Sequence, residues 1–501
     1  MKVYLHIPFC HSKCAYCDFY SLARPDFVDR YLDAVAAEWE ARRPAEPADT
    51  LYIGGGTPSL LPPAAIARLV GLIAPGPLRE LTVEANPEDV TPAWVEAMRA
   101  VRPDVRVSIG IQSLVDTELR AISRRHTAAD ALAALECLRS GGVTNISADL
   151  IYGLPGQTLE SFTFSLRRLL EFRPSHLSAY LLSIEEGTLL GRRLAAGQIA
   201  EASDTLAGEM YDTLCRLTRE AGYHHYEISN FALPGAEAIH NSSYWDLSPY
   251  IGLGPGAHSY VDGRRSANRP DLRAYIASHG IGIYEEEDES RDSQFNDLLL
   301  TALRTARGLS LADVSRLFGP DILTALLAAA APSLASGTLI LTDSATTPPH
   351  AASAKVGTRH GASTPAHDVS HPLSPPPDTL TATGTLILTD SGKVGTRHGA
   401  STPAHDVSHP LSSPDTLTAA STPAHDVSHP LSSPDTLIAA STPAHDVSHP
   451  LSPPPDTLTA ASTPAHNVSH PLSPLPDTLR LVIPEHHWLT SNAILLPLIR
   501  V

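Results

Sequence analysis

The sequence predicts an α/β fold in which helices cover a parallel sheet. Over residues 1–202, six short apolar runs alternate with segments of helical spacing. Strands that alternate with helices of about 10 to 15 residues form βαβ units, whose strands run parallel. In such sheets the ligand site lies at the carboxyl ends of the strands, so we expect functional side chains in the loops that follow them.

Each element of this first domain has a local signal. Short apolar runs indicate buried strands, which in chain order are KVYLHI, DTLYI, ELTVEA, DVRVSIG, NISADLIYG and HLSAYLL. Apolar residues at helical spacing indicate the helices between them, which are DRYLDAVAAEWEARR, PAAIARLVGLIA, PAWVEAMRA, DTELRAISRR, AADALAALECLRSG and LESFTFSLRRLLEF. Together they predict a parallel sheet with helices in its crossovers.

Two further folded regions are predicted after this domain. Residues 203–288 begin with the long helix TLAGEMYDTLCRLTREAGY and continue as loop-rich sequence with aromatic residues. Residues 289–343 have helical patterning, and residues 479–501 regain strand and helix patterning. We therefore expect these last two segments to form one small, winged-helix-like domain at the C-terminal end.

Residues 344–478 separate those two segments and contain near copies of STPAHDVSHPLSSPDTL. A repeat of about 20 residues is also typical of solenoids. Each copy, however, is rich in proline and poor in aliphatic residues, so it offers no apolar stripe to stack on its neighbour. We predict a disordered low-complexity insertion that interrupts a wing-like hairpin.

The composition excludes several classes of protein. A formal net charge of −18, from 36 basic and 54 acidic side chains, disfavours non-specific binding of nucleic acid. No uninterrupted apolar run reaches the roughly 18 residues of a membrane span. Three of the five cysteines crowd into one loop, which argues against a secreted disulfide framework. We expect a cytoplasmic protein with no membrane span and no nucleic-acid partner.

The cysteine loop, HIPFCHSKCAYCDFY, places Cys10, Cys14 and Cys17 directly after the first strand. Structural zinc usually takes four ligands, and the local substitutes for a fourth cysteine are His6 and His11. A [4Fe–4S] cluster held by three thiolates keeps one iron open to an exogenous ligand. Unligated cysteine is the third alternative, although three cysteines in a polar loop argue against it. The pattern favours the cluster over zinc and over free thiols.

The motif CHSKCAYC resembles the signature of the radical S-adenosylmethionine (SAM) superfamily. This resemblance implies a partial (βα)6 barrel of the TIM type, a [4Fe–4S] cluster on the three cysteines, and SAM bound to the open iron. The motifs YIGGGTPSLL, TVEANPED, SIGIQS, ISRRH and SADLIYGLPGQT also fit, although any one of their polar residues alone would be interpreted as a helix cap or surface residue. The SAM-binding residues that the resemblance implies are Tyr4, Tyr16, Gly55, Gly56, Thr57, Glu84, Gln112, Arg124 and Asp149.

Within the superfamily, the chain is similar to the oxygen-independent coproporphyrinogen III oxidases and to the HemW family of heme chaperones. The oxidases carry a further cysteine two positions after the third, where this chain has Phe19, and an extension ahead of the first strand. The stretch HNSSYW resembles the H-N-x-x-Y-W motif of the chaperones. A histidine in a loop would otherwise be interpreted as a hydrogen-bonded surface residue. The heme-binding residues that this resemblance implies are His240, Asn241, Tyr244 and Trp245.

The resemblance therefore implies a heme chaperone that delivers heme to hemoproteins such as respiratory cytochromes. Its cofactors would be a [4Fe–4S] cluster, SAM and heme, and its other partners an electron donor for the cluster and a second copy of the chain in a homodimer. Two alternatives stay open, a coproporphyrinogen III oxidase that decarboxylates propionates and a radical SAM enzyme with another substrate. We assign no catalytic residue and expect no coproporphyrinogen oxidase activity.

Overall fold

The computed structural model describes residues 1–23, 27–287, 290–343 and 477–499, all of which belong to one compact unit. Its centre is a run of six parallel strands, each paired with the next in chain order. These strands are β1 (Lys2–Ile7), β2 (Thr50–Gly55), β3 (Glu80–Ala85), β4 (Arg106–Gln112), β5 (Asn145–Tyr152) and β6 (His176–Leu181). The predicted α/β class with a parallel sheet is confirmed.

Helices cover the outer face of these strands. They are α1 (Val28–Arg42), α2 (Pro63–Ile73), α3 (Pro92–Val101), α4 (Asp116–Ala121), α5 (Ala128–Ser140) and α6 (Leu159–Phe172). Three of them start at a threonine whose hydroxyl accepts a hydrogen bond from the first turn, namely Thr91, Thr127 and Thr158. The hydrophobic core therefore lies between the helices and the outer face of the sheet.

Strand alternation separates a hydrophobic outer face from a polar inner face. In β1, the side chains of Val3, Leu5 and Ile7 are fully buried against the helices, whereas Tyr4 points to the opposite face. The same alternation places polar side chains such as Asp149 of β5 on the inner face. The interior of the curved sheet is therefore lined by polar groups and holds a cavity instead of a packed core.

Further elements extend the sheet at both edges. Strands β7 (His224–Glu227) and β8 (Asn230–Ala232) continue it beyond β6, and β9 (Tyr250–Leu253), β10 (His258–Val261), β11 (Arg264–Asn268) and β12 (Tyr284–Glu286) continue it beyond β1. The helices of this region are α7 (Leu189–Ala195), α8 (Asp204–Glu220), α9 (Ile239–Trp245) and α10 (Leu272–Ala277). Strands β1 and β6 pair with these additions and not with each other, so the six-stranded barrel is partial.

The C-terminal part is built from two chain segments that are far apart in sequence. It contains α11 (Arg291–Ala302), β13 (Leu309–Ser310), α12 (Leu311–Phe318), α13 (Pro320–Ser336), β14 (Ile340–Asp343), β15 (Leu479–Val482) and α14 (Ser491–Leu495). Strands β14 and β15 are antiparallel, with Ile340 opposite Val482 and Asp343 opposite Leu479. The two segments therefore share one hairpin, as a winged-helix-like domain with an insertion at the wing requires.

Short 3-10 helices complete the structure at Pro58–Leu60, Pro87–Asp89, Glu485–His487 and Leu496–Leu498. Within the described ranges, no helix is both long enough and apolar enough to cross a membrane. The predicted boundaries at residues 202 and 288 fall inside the one compact unit and stay predictions. The predicted insertion, 344–478, lies outside the described residues except for its last two.

Candidate cofactor site

One cavity of about 570 Å³ occupies the interior of the partial barrel. It brings together the three predicted cluster cysteines, all nine predicted SAM-binding residues and three of the four predicted heme-binding residues. These lining residues are Cys10, Cys14, Cys17, Tyr4, Tyr16, Gly55, Gly56, Thr57, Glu84, Gln112, Arg124, Asp149, Asn241, Tyr244 and Trp245. Of the predicted site residues, His240 is the exception.

The cysteine loop is held against the barrel by backbone hydrogen bonds. The amide of Cys10 donates to the carbonyl of Leu22 at 3.2 Å, and the amide of Ala15 donates to the carbonyl of Ile122 at 3.0 Å. All three thiols are free and half-buried. The loop therefore presents three sulfur atoms to the cavity from a fixed backbone.

Two donors reach the sulfur atoms, one from the turn after β2 and one from the loop after α4. The Thr57 hydroxyl lies 3.4 Å from the Cys10 sulfur, and the Arg124 guanidinium lies 3.5 Å from the Cys14 sulfur. Burial, followed by the nearby Cys14, raises the pKa of the Cys17 thiol to about 12. Because a bound metal centre is what keeps such thiols ionised, three thiolates with two donors beside them fit a [4Fe–4S] cluster that has one open iron.

The glycine turn after β2 comes very close to the end of β1. A Cβ atom on Gly56 would lie 2.6 Å from the carbonyl oxygen of Phe9 and 2.8 Å from that of Ile7. Gly55 has a φ of +104°, in the region that favours glycine. Its amide donates to a Glu84 carboxylate oxygen at 3.0 Å. The turn thereby brings backbone groups into the cavity next to the cysteine loop.

Arg124 is fixed by neutral acceptors and keeps a donor to spare. Its guanidinium donates to the Asn86 side chain at 2.7 Å and to the Gly110 carbonyl at 2.8 Å. Its Nε is buried and has no acceptor among the described residues. A buried donor beside the cysteine loop fits an anionic group such as the carboxylate of SAM.

Two buried carboxyl groups lie further inside the cavity. Burial raises the pKa of Glu84 to about 7 and that of Asp149 to about 6. The Tyr52 hydroxyl donates to Glu84 at 2.7 Å, and the Ser108 hydroxyl donates to Asp149 at 3.2 Å. A carboxylate has about four acceptor positions, so both groups retain capacity for the hydroxyls of a ligand.

The predicted heme motif forms helix α9 at the amino end of the barrel, where the sequence analysis expected loop-rich sequence. The Glu80 carboxylate, at the start of β3, accepts hydrogen bonds from the amides of Ile239 and His240, both at 2.9 Å. A carboxylate at this position satisfies amides that the first turn of a helix leaves unpaired. Helix α9 is therefore fixed by an acid that lies far from it in sequence.

His240 is fully buried, and both of its ring nitrogen atoms have partners. Its Nδ1 lies 2.8 Å from the Thr50 hydroxyl, and its Nε2 lies 2.9 Å from the Tyr244 hydroxyl. Burial, with a smaller effect from Lys2, lowers the pKa of His240 to about 3. The imidazole is therefore neutral and is separated from the cavity by Tyr244.

Sequence reasoning missed several residues that line the cavity. Glu227, Asn230, Arg265 and Arg304 all do so. His225, on the same strand as Glu227, does not line the cavity. The strand alternation would put residues 225 and 227 on one face, but the pairing of β7 with β8 shifts register between them. The alternation of apolar and polar residues along a strand does not reveal such a register shift.

Comparison with known proteins shows which family this chain resembles. The family model of the Radical SAM superfamily matches residues 4–169. The heme chaperone HemW of Lactococcus lactis is 36% identical over 314 residues, which cover 62% of this chain and 82% of that protein. HemW of Mycobacterium tuberculosis is 36% identical over 324 residues, which cover 62% of this chain and 83% of that protein.

Among solved structures, the coproporphyrinogen III oxidase HemN from Escherichia coli, described as a radical SAM enzyme, has a TM-score of 0.58. It is 24% identical, and the match covers 68% of this chain and 84% of that chain. At 24% identity, this similarity shows a shared fold.

Proposed function

This chain belongs to the HemW family within the radical SAM superfamily, and from that premise we propose that it is a heme chaperone, which binds heme and delivers it to hemoproteins. One structural observation supports the proposal in addition to family membership. A single cavity is lined both by the three-cysteine loop and by Asn241, Tyr244 and Trp245 of α9. Cluster, SAM and heme would therefore share one interior.

The superfamily's cofactors are a [4Fe–4S] cluster and SAM, which together supply one-electron chemistry when bound. We assign the cluster to Cys10, Cys14 and Cys17. Arg124 would bind the SAM carboxylate, because its guanidinium is already oriented by Asn86 and Gly110 and its Nε has an open donor.

The other SAM contacts are assigned by position on the inner face. Glu84 and Asp149 would accept the ribose hydroxyls, and the turn from Gly55 to Thr57 would receive the amino end. Tyr4, Tyr16 and Gln112 line the same part of the cavity.

Heme would lie between α9 and the strands that extend the barrel beyond β1. Tyr244 and Trp245 offer aromatic faces for the macrocycle. Arg265 and Arg304 also line the cavity and would face the two propionate carboxylates of heme.

We propose His240 as an axial ligand of the heme iron, and this requires Tyr244 to turn away. The low pKa of His240 keeps the imidazole neutral, so the ring carries one N–H and one lone pair. In the tautomer with the proton on Nδ1, which faces the Thr50 hydroxyl, the lone pair is on Nε2, and Nε2 accepts the hydrogen bond of Tyr244 at 2.9 Å. Removal of the Tyr244 hydroxyl would open this lone pair to the iron.

We propose three further partners for the chain. A chaperone needs an acceptor hemoprotein, for which a respiratory cytochrome is the example expected from the family. A cluster that changes oxidation state needs an electron donor. The third partner is a second copy of the chain in a homodimer.

The test is an anaerobic heme titration of cluster-reconstituted protein, followed by absorbance in the Soret band. We expect wild type to saturate at about one heme per chain and His240→Ala to bind heme about tenfold or more weakly. Tyr244→Phe should bind at least as tightly as wild type, because it frees Nε2. His279→Asn, which changes an exposed histidine, is the control and should leave binding unchanged.

Each other outcome has a definite meaning. Loss of binding in Tyr244→Phe would move the iron ligand from His240 to the Tyr244 oxygen. No saturable binding by wild type would contradict the chaperone function. Conversion of coproporphyrinogen III to protoporphyrinogen under anaerobic conditions would then identify an oxidase, although Phe19 occupies the position of the oxidases' additional cysteine.

A further inference from the structure

A second group of metal-ligating side chains lies outside the cavity. Cys215 is on α8, His225 is on β7, and Glu485 is in the short helix that follows β15. One ligand atom from each lies within 4.8 Å of the other two, and none of the three residues lines the cavity. We propose that these three side chains bind a zinc ion that ties the segment after β15 to the barrel, a site independent of the heme proposal.

The distances are close to those around a tetrahedral zinc ion. Zinc–sulfur, zinc–nitrogen and zinc–oxygen bonds of about 2.3, 2.05 and 2.1 Å place the N and S ligands about 3.6 Å apart and the N and O ligands about 3.4 Å apart. The His225 Nδ1 lies 3.7 Å from the Cys215 sulfur and 3.0 Å from a Glu485 oxygen. The first distance equals the zinc value within about 0.1 Å, and the second is about 0.4 Å shorter, so the carboxylate would move back slightly when the ion binds.

The hydrogen bonds of His225 explain why a cation belongs between these three side chains. Its Nδ1 faces Glu485, and its Nε2 faces the carbonyl of Ile228 at 3.3 Å. Both partners are acceptors when Glu485 is ionised, but a neutral imidazole has one N–H. If Nε2 donates to Ile228, the Nδ1 lone pair points at a sulfur and a carboxylate oxygen. A zinc-bound histidine typically donates its other N–H to such a carbonyl.

The surroundings favour a neutral imidazole over a charged one. The ring is 5% exposed, stacks on Phe231 at 4.0 Å between centroids, and meets Trp488 edge-on at 4.5 Å. Removal of the ring from water disfavours an imidazolium. The competing arrangement is an imidazolium paired with Glu485, which gives Cys215 no role, and the experiment below separates the two.

The charge and the access of the site also suit a divalent cation. Bound thiolate and carboxylate together balance the two charges of zinc. The other Glu485 oxygen accepts a hydrogen bond from Arg219 at 2.6 Å, which fixes the carboxylate. Glu485 is 32% exposed, so the ion can enter from solvent and a water can complete the coordination.

The test measures zinc and iron in the cluster-reconstituted, full-length chain by plasma mass spectrometry, after incubation with zinc and dialysis against metal-free buffer. We expect about one zinc per chain in wild type. Cys215→Ala and Glu485→Gln should each reduce zinc retention about tenfold or more. Cys137→Ala, which changes a cysteine on α5 far from the group in sequence, is the matched control and should retain zinc.

A second measurement separates this site from zinc held by the cysteine loop. The variant Cys10→Ala/Cys14→Ala/Cys17→Ala cannot hold the cluster, and it should still retain zinc. In thermal unfolding, excess chelator should lower the Tm of wild type and Cys137→Ala but not that of Glu485→Gln. If Cys215→Ala fails to fold, Glu485→Gln still tests the zinc site.

Three results would overturn the proposal. Equal zinc in wild type and Glu485→Gln would place the ion elsewhere. Loss of zinc in the triple cysteine variant would assign it to the cysteine loop. Wild type without zinc after incubation and dialysis would leave the His225–Glu485 ion pair as the arrangement at this position.

Discussion

Gly56 and Gly71 show how differently a single added methyl group acts in this chain. A Cβ on Gly56 would lie 2.6 and 2.8 Å from two backbone oxygens of the segment that leads into Cys10. A Cβ on Gly71, within α2, would meet nothing within 4 Å. Because backbone atoms cannot turn aside as a flexible side chain can, we expect the same substitution to have opposite effects at the two positions.

We predict that Gly56→Ala destabilises the protein by about 1–3 kcal/mol, the usual cost of overpacking. It should also lower the iron bound after reconstitution, because relief of the overlap displaces the chain just before Cys10. Gly71→Ala, the control, should be neutral or raise stability by up to about 1 kcal/mol, as expected within a helix. Urea unfolding and iron analysis measure both effects, and equal behaviour of the two variants would contradict the prediction.

At the scale of single residues, the sequence predicts some positions in the cavity and misses others. The three cysteines and the nine predicted SAM residues line one cavity because short motifs at successive strand ends meet at the same end of the sheet. His240 was expected at the heme surface but is buried behind Tyr244. Its other ring partner, Thr50, is 190 residues away in sequence, so no local pattern indicates the burial.

At the scale of elements, α9 depends on one acid of the barrel. Glu80 is 6% exposed at the start of β3, and both of its carboxylate oxygens accept amide hydrogens from the first turn of α9. Hydrogen bonds to a charged group contribute about 1.5–3 kcal/mol. The position of Tyr244 and Trp245 along the cavity therefore rests on this carboxylate.

We predict that Glu80→Ala lowers the free energy of unfolding by about 2–3 kcal/mol and speeds amide exchange across Ile239–Trp245, because two buried amides lose their acceptor. Heme binding should weaken as α9 loosens. Glu96→Ala, an exposed glutamate on α3, is the control and should change neither property. Unchanged exchange in α9 after Glu80→Ala would show that other contacts fix the helix.

At the scale of the whole molecule, the hairpin of β14 and β15 joins the two segments of the C-terminal part. Its register pairs Ile340 with Val482 and Asp343 with Leu479. Leu481 of β15 is fully buried and also pairs with Leu309 of β13. The residues that flank the predicted insertion, Asp343 and Leu479, are therefore paired with each other in the hairpin.

We predict that residues 344–478 can be replaced by Asn-Gly, a two-residue turn suited to hairpins, without loss of the fold. Cluster content, heme affinity and Tm should match those of the full chain, because all pairs of β14 with β15 remain. A control chain that joins Asp343 through Asn-Gly to Arg480 shifts the register by one residue and turns Leu481 away from the core. The control should melt at lower temperature, and a similar loss in both chains would contradict the prediction.

By itself, the sequence determined the parallel α/β fold, its six strands and the residues that meet at their ends. These features follow from hydrophobic periodicity and from short motifs, which are local properties of the chain. The tertiary structure decided the rest, namely the helical state of α9, the burial of His240, and the meeting of Cys215, His225 and Glu485. Each of these depends on contacts between segments far apart in sequence, and such contacts are fixed by topology and strand register, which no local pattern contains.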